Sequence, residues 1–318
     1  MNRLTENKIV LVVRATRLAD LKARFATKQQ ARFYVRRLGA DFSDYEREDG
    51  TYQEAIRETQ RILSELGRVH TVQRAMLPNF VFGPKDVVVA LGQDGLVANI
   101  LKYLDGQPLI GVNPDPRRYD GQLLPFRVRD LPRLLPEVFA RRRALRQVSM
   151  AVAKLNTGLT LHAVNDLFIG PRSHGSARYT MHIGKKKEAH SSSGVVVSTG
   201  LGSTGWLKSL IAGATGVADL VKEEFGRPVA GRGTAIDPTF PCNARHLFFT
   251  VREPFPTQST GATLLFGRVT AEQPLVIESQ MSENGVIFSD GIEADFLDFN
   301  SGTRATITLA EKHGCLVE

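Results

Sequence analysis

Three short segments of the chain hold residue types suited to phosphate and sugar chemistry. Gly92-Gln93-Asp94-Gly95 stands between a β-branched run and an apolar helix candidate. Glycines in that position let backbone amides approach a phosphate, and a helix amino terminus adds partial positive charge. A carboxylate there repels the same phosphate, so Asp94 calls for a reason of its own, although a tight turn or a helix cap built on Asp94 accounts for four residues equally well. The second segment, Ser198-Thr199-Gly200-Leu201-Gly202-Ser203-Thr204-Gly205-Trp206, follows the apolar run 195–197. Its hydroxyls and glycines can hold a phosphate or a ribose by neutral hydrogen bonds, and Trp206 offers a face to a base. Most Ser/Thr-rich loops are only loops, but two such loops in one chain shift the balance. The third segment is Asn165-Asp166, inside the otherwise apolar stretch 163–169. An amide and a carboxylate buried there must find partners; ribose hydroxyls would serve, and so would a strand-end turn. Ser289-Asp290-Gly291 reads first as a hairpin turn.

Elements must position these segments. Residues 9–13 form an uninterrupted, mostly β-branched run, as expected of a strand covered on both faces in a parallel sheet. A basic, helix-favouring stretch follows. Thr51 and Glu54 then make a capping box ahead of Ala55, Ile56, Ile62, Leu63 and Leu66, with Gly67 as the stop, which predicts an amphipathic helix over 51–66. A strand at 86–91, the glycine loop, a helix at 96–104, an Asp105-Gly106 turn and a strand at 109–112 make a β-loop-α-β unit. Such crossovers bring their loops to the carboxyl edge of the sheet, where open α/β folds bind ligands. Beyond the Arg-rich segment near Arg141, short alternating runs at 148–153, 179–183, 247–251, 264–269 and 275–278 indicate antiparallel strands, with one helix candidate at 206–212 and a Gly/Pro-rich loop at 226–241. The expected architecture is an α/β N-terminal domain, Rossmann-like with a parallel sheet, over 1–145, carrying the Gly-Gln-Asp-Gly loop. An all-β sandwich over 146–318 carries the second loop, its last segment packing back on the first domain.

With 318 residues, 42% hydrophobic and 23% charged, the chain can bury a sizeable core. No apolar run reaches the eighteen residues of a membrane span and residues 1–8 lack a signal-peptide core, so a soluble, cytoplasmic protein is expected. Cys242 and Cys315 stand alone, and the seven histidines show no metal-ligand spacing, so no metal site is expected. The net charge of +8 favours anionic partners. Its runs at 141–146 and 185–187 lack interleaved aromatics, which argues against nucleic acid. Absence of an amphipathic helix with an aromatic edge argues against a membrane.

Taken in order, the segments resemble the NAD kinase family, whose pattern runs Gly-Gly-Asp-Gly, then Asn-Glu, then Ser-Thr-x-Thr-Gly-Ser-Thr-Ala-Tyr, then Asp-Gly. The resemblance spans about residue 86 to the end. Gly111-Val112-Asn113, followed by Asp115-Pro116 and Gly121, together with Ser192-Ser193-Gly194 and Arg252-Glu253-Pro254, looks most like the mitochondrial-type branch and its bacterial relatives. The resemblance implies an α/β domain followed by a β-sandwich, a homodimer or higher homo-oligomer, and transfer of the terminal phosphate of ATP, brought in with Mg²⁺ or another divalent cation, to the 2′-hydroxyl of NAD. It implies Asp94 as general base and Gly92, Gln93 and Gly95 as the phosphate-donor loop. For NAD it implies Gly95, Asn165, Asp166, Thr199, Gly202, Ser203, Thr204 and Trp206. Gln93 stands for a glycine of the pattern, Leu96 for a threonine and Asp166 for the glutamate, while Gly205 and Trp206 stand for alanine and tyrosine. A lipid or sugar kinase sharing the Asp-containing glycine loop, and a dinucleotide-binding regulator without phosphoryl transfer, are the rival readings.

Overall fold

The computed structural model describes residues 8–224 and 237–318; the predicted loop at 226–241 lies mostly outside them. The chain forms two compact units, Met1–Arg146 with Gly314–Glu318, and Gln147–His313.

Unit 1 is an α/β layer structure. It contains β1 (Lys8–Val13), α1 (Arg17–Phe25), α2 (Lys28–Arg37), α3 (Phe42–Leu66), β2 (Arg68–Gln73), β3 (Val87–Leu91), α4 (Asp94–Leu101), β4 (Pro108–Asn113), the short β5 (Phe126–Arg127) and α5 (Leu131–Phe139). The strands are parallel in the order β4-β3-β1-β2. The continuous apolar runs of β1 and β3 are buried, as strands covered on both faces require. Their core is shared with Ile62 and Leu63 of α3 and Leu131, Leu134 and Leu135 of α5, each contributing roughly 1.5–3 kcal/mol by burial. β2 follows β1 on one side and β3 follows on the other, so the order reverses between β1 and β3. The carboxyl ends of these two strands are therefore the topological switch point at which α/β sheets bind ligands.

Two local expectations differ from the structure. α3 begins at Phe42, not near residue 51: the Asp41 carboxylate caps it by accepting from Ser43 N at 2.8 Å, and the helix runs on through Gly50 and exposed Thr51. The buried stripe Phe42, Glu48, Tyr52, Ala55, Thr59, Ile62 and Leu63 extends the helix upstream, and tertiary burial overrides the Thr51–Glu54 capping signature. The helix expected over 206–212 runs on to Glu224.

Unit 2 holds β6 (Leu145–Leu155), β7 (Thr160–Ala163), β8 (Asp166–Pro171), β9 (Ala177–Ile183), β10 (Lys186–Ser192), β11 (Gly194–Ser198), α6 (Trp206–Glu224), β12 (Leu247–Arg252), β13 (Phe266–Val269), β14 (Leu275–Ser279), β15 (Gly285–Ser289), β16 (Ile292–Asp298) and most of β17 (Arg304–Val317). One antiparallel sheet has the order β13-β12-β11-β8-β15-β16, and β10-β9-β14-β17 form the other. Alternate residues of both face one core, with Leu167, Ile169, Val195, Val197 and Ile287 meeting Tyr179, Met181, Ile277 and Ile307. This is a β-sandwich. The end of β17 returns to unit 1, where Cys315 and Leu316 pair in parallel with Pro108 and Leu109 of β4.

Candidate active site

The glycine loop sits at the switch point of unit 1. Gly92 follows β3 and donates its N–H to Val112 O at 3.2 Å; Gln93, in extended conformation, is the N-cap of α4, and Asp94 is its first residue. Asp94 is half-buried, and its Oδ1 accepts a 2.7 Å hydrogen bond from Leu123 N. Its Oδ2 has no hydrogen-bond partner among the described residues. The donor is placed by the loop after β4. Asn113 Nδ2 donates to Tyr119 O at 2.9 Å and Asn113 Oδ1 accepts from Asp115 N at 3.0 Å, while Gly121 turns at φ 69°. The loop then lies so close on β4 that a Cβ at Gly111 would fall 1.9 Å from Leu123 O. The Gly111, Asn113, Asp115 and Gly121 pattern thus builds the donor that orients Asp94.

Space around the loop is uneven. Gly95 is exposed, with nothing within 4 Å of where a Cβ would stand, so the backbone is open to the surface there. At Gly92 a Cβ would stand 2.8 Å from Leu96 Cδ2, and buried Leu96 occupies the room a threonine hydroxyl would leave.

A residue not singled out from sequence stands beside this loop. Continuing the β1–β3 register brings Arg14 opposite Gly92. Its backbone N–H donates to Tyr52 Oη at 3.0 Å, and Tyr52 Oη donates to Leu91 O at 2.6 Å. Burial pushes the Tyr52 phenol up to about 12, so it stays a donor. The Arg14 guanidinium bonds Glu48 at 3.0 Å and Tyr119 Oη at 2.7 Å. Since β3 lies between β1 and β4, the bond to Tyr119 passes over the end of β3, where the glycine loop begins. The side chain is only 10% exposed, and its buried Nε has no partner. Burial opposes the charge on Glu48, yet hydrogen bonds from Arg17 and Arg14 outweigh it and hold the carboxyl below its usual range. The only sequence signal was an arginine directly after a buried strand.

In unit 2 the other segments come together at one end of the sheet. Ser198 of β11 pairs with Asp166 of β8, and Thr199 N donates to Asn165 O at 2.9 Å. The loop that follows is held by its own hydroxyls: Thr199 Oγ1 donates to Val164 O at 2.5 Å, and Ser203 Oγ donates to Gly200 O at 2.7 Å. Both residues are fully buried, so these side chains shape the loop from within. A Cβ at Gly202 would fall 2.2 Å from Asn165 O and 2.8 Å from Asp166 Oδ1, which explains that glycine by close approach. Thr204 and Gly205 are exposed, and Trp206, half-buried, stacks on Phe168 with ring centroids 5.8 Å apart.

Asp290 organises the Asn165-Asp166 pair. It lies in a hairpin turn with Gly291, at φ 54° and 69°, the left-handed pair that a type I′ turn needs. Its carboxylate accepts from Val164 N at 3.0 Å, Asn165 N at 2.7 Å and Asp166 N at 3.3 Å. The Asn165 side chain is left half-exposed with no partner among the described residues. Asp166 is buried, and its Oδ1 has no hydrogen-bond partner among the described residues. Burial, with the Asp290 charge adding to it and the Ser198 hydroxyl opposing, pushes the Asp166 carboxyl up to about 7.

Among the described residues no cluster of three or more His, Cys, Asp or Glu side chains suits a metal ion, and no helix is long and apolar enough to cross a membrane.

No protein-family model and no curated protein matches the chain. Its fold is similar to that of an NAD kinase from Archaeoglobus fulgidus solved in complex with ATP, at TM-score 0.55 and 15% identity over 98% of this chain and 93% of that one. It is likewise similar to yeast NADH kinase complexed with NADH, at TM-score 0.57 and 14% identity over 98% of this chain and 84% of that one. At these identities the likeness establishes a shared fold.

Proposed function

We propose that the chain is an NAD kinase, which moves the terminal phosphate of ATP to the 2′-hydroxyl of the adenosine ribose of NAD and releases NADP. The observation that carries this reading is the state of Asp94. At the switch point, beside an open glycine, it has one carboxylate oxygen fixed by Leu123 N and the other unpaired. Asp94 does not cap its own helix, since Gln93 is the N-cap and the Asp94 carboxylate turns instead to the loop that follows β4. A positioned base needs one fixed and one free.

Asp94 Oδ2 accepts the proton of the 2′-hydroxyl as its oxygen bonds to phosphorus, and ADP leaves from the opposite side. A sugar hydroxyl is a far weaker acid than a carboxyl of pKa about 3.9, so the transfer becomes favourable only as phosphorus–oxygen bonding develops. Such a base contributes on the order of 10²- to 10⁴-fold, and alignment and charge neutralisation supply the rest. A divalent cation brought in with the donor would add charge neutralisation at the phosphates, the described residues offering no cluster of their own to hold it. Gly95 presents open backbone to the donor and Gly92, its N–H held by Val112 O, shapes the loop, while the positive charge of the Arg14 guanidinium favours the donor phosphates. Asn165 and Asp166 hold ribose hydroxyls of NAD, and Gly202, Thr204 and Trp206 border its adenosine. Thr199 and Ser203 contribute through the loop shape their hydroxyls maintain.

The test is direct. Purified protein with Mg²⁺, NAD and either ATP or polyphosphate is assayed for NADP, with NADH as alternative acceptor, in wild type and Asp94→Asn. NADP formation that depends on Asp94 supports the reading. The packing of Leu96 against Gly92 favours one second reading, a dinucleotide-binding regulator; tight NAD binding without NADP would establish it. Absence of both points to a lipid or sugar acceptor.

A further inference from the structure

Unit 1 carries another concavity, at the corner between α1 and α2, and none of its residues belongs to the segments above. The corner concentrates charge: residues 17–37 hold seven Lys and Arg against the one acid Asp20, a net of +6 in a chain whose total is +8. Arg17 is spent on Asp44 and Glu48, and Lys28 and Arg32 on Glu46. Lys22, Arg24, Arg36 and Arg37 have no carboxylate partner among the described residues.

Aromatic rings interleave with these cations. Phe25 and Tyr34 meet with ring centroids 4.6 Å apart and planes tilted by 36°, and the Arg24 guanidinium lies over both, 5.3 and 5.8 Å from their centroids. Phe33 is 69% exposed and stands outside the small core that Leu18, Ala31, Val35 and Phe42 form. Its ring adds nothing to that core and lies open at the corner. Helical spacing sets Gln29, Phe33 and Arg37 on one stripe, a turn apart. Arg24, Phe25, Gln29, Gln30, Phe33 and Tyr34 line an open pocket of about 640 Å³, within the roughly 300–1,000 Å³ of small-molecule sites. Gln30 Oε1 accepts from Thr27 Oγ1 at 3.0 Å, which leaves its amide N–H groups to donate.

We propose that this corner is a second ligand site, and that it takes a planar aromatic group bearing phosphate, a free nucleotide. The exposed rings stack on the base, the Gln29 and Gln30 amides meet its edge, and Arg24 and Arg37 take the phosphates. A merely solvated basic face would account for the arginines, and leaves Phe33 unexplained. The assignment does not depend on the phosphoryl-transfer reading, and its test reports the place of binding instead of turnover.

Photolabelling of the full chain with 8-azido-ATP, followed by peptide mapping, locates the bound base. Label is expected on segment 24–37. Phe33→Ala or Arg24→Glu, both surface changes whose folding is checked by circular dichroism, lowers labelling there by about tenfold and leaves label elsewhere unchanged. The assignment is overturned by no label on 24–37 at millimolar probe, or by label that survives both substitutions. Inorganic tripolyphosphate competing as well as ADP would show an anion site without base recognition. Self-association lost in Phe33→Ala, with no labelling, would give the corner to a second copy of the chain.

Discussion

Replacing Asp166 by Asn should stabilise unit 2 while weakening NAD binding, and the stabilisation should grow with pH. The carboxyl titrates near 7 in the folded protein against an ordinary 3.8. As pH rises through about 4, the unfolded chain gives up this proton while the folded chain keeps it, so the folded state loses ground until about pH 7. The loss is then complete. Linkage puts the cost at roughly 1.5 kcal/mol at pH 5 and roughly 4 kcal/mol at pH 8. Asn keeps the shape and carries no charge, so the advantage of Asp166→Asn over wild type should increase by on the order of 2–3 kcal/mol between these two conditions. Trp206 is the only tryptophan and lies in unit 2, so its fluorescence in urea titrations reports the relevant transition. A stability difference that is the same at both pH values, within a few tenths of a kcal/mol, refutes the argument that burial governs this carboxyl. In parallel, wild-type affinity for NAD should change with pH around 7, and that dependence should vanish in the variant.

Other expectations follow from the same geometry. Asp94→Asn keeps an acceptor for Leu123 N and should melt like wild type, with kcat reduced on the order of 10²- to 10⁴-fold; wild-type turnover removes Asp94 from the chemistry. Gly111→Ala drives a Cβ into Leu123 O and should cost about 1–3 kcal/mol as well as at least tenfold in kcat, because the donor to Asp94 moves; unchanged kinetics would mean that this bond does not orient the base. Asp290→Asn removes the charge facing Asp166 and should move the pH midpoint of NAD binding downward, whereas an upward move contradicts the assigned cause. Arg14→Lys retains charge but gives up the fork that bonds Glu48 and Tyr119 together, and should raise the KM for ATP with little effect on that for NAD; the opposite split would sink the donor assignment.

Much of the framework was legible because its causes are local. β1 and β3 read as buried parallel strands since both faces are covered, which leaves no polar alternation. Gly67 ended α3 as expected, and the alternating runs of unit 2 became antiparallel strands whose inward residues share one core. The start of α3 departs from the capping signature because such a signature is worth about 1 kcal/mol, less than the burial of Phe42 on the upstream turns. Against the expectation of no helix with an aromatic edge, α2 carries one in Phe33 and Tyr34, whose exposure is a property of the packed corner.

The order of residues determined which chemistry each segment offers: glycines for close approach, hydroxyls before a helix, a carboxylate in each half of the chain. Only the tertiary structure decided how those groups are spent. Thr199 and Ser203 turn inward and bond their own loop, Asp290 gathers three backbone N–H groups, Asp94 keeps one oxygen free, and Arg14 arrives beside Gly92 by strand register. A side chain's type is written in the chain, whereas its partners are set by residues tens of positions away, and hydrogen bonding and burial are properties of those partners.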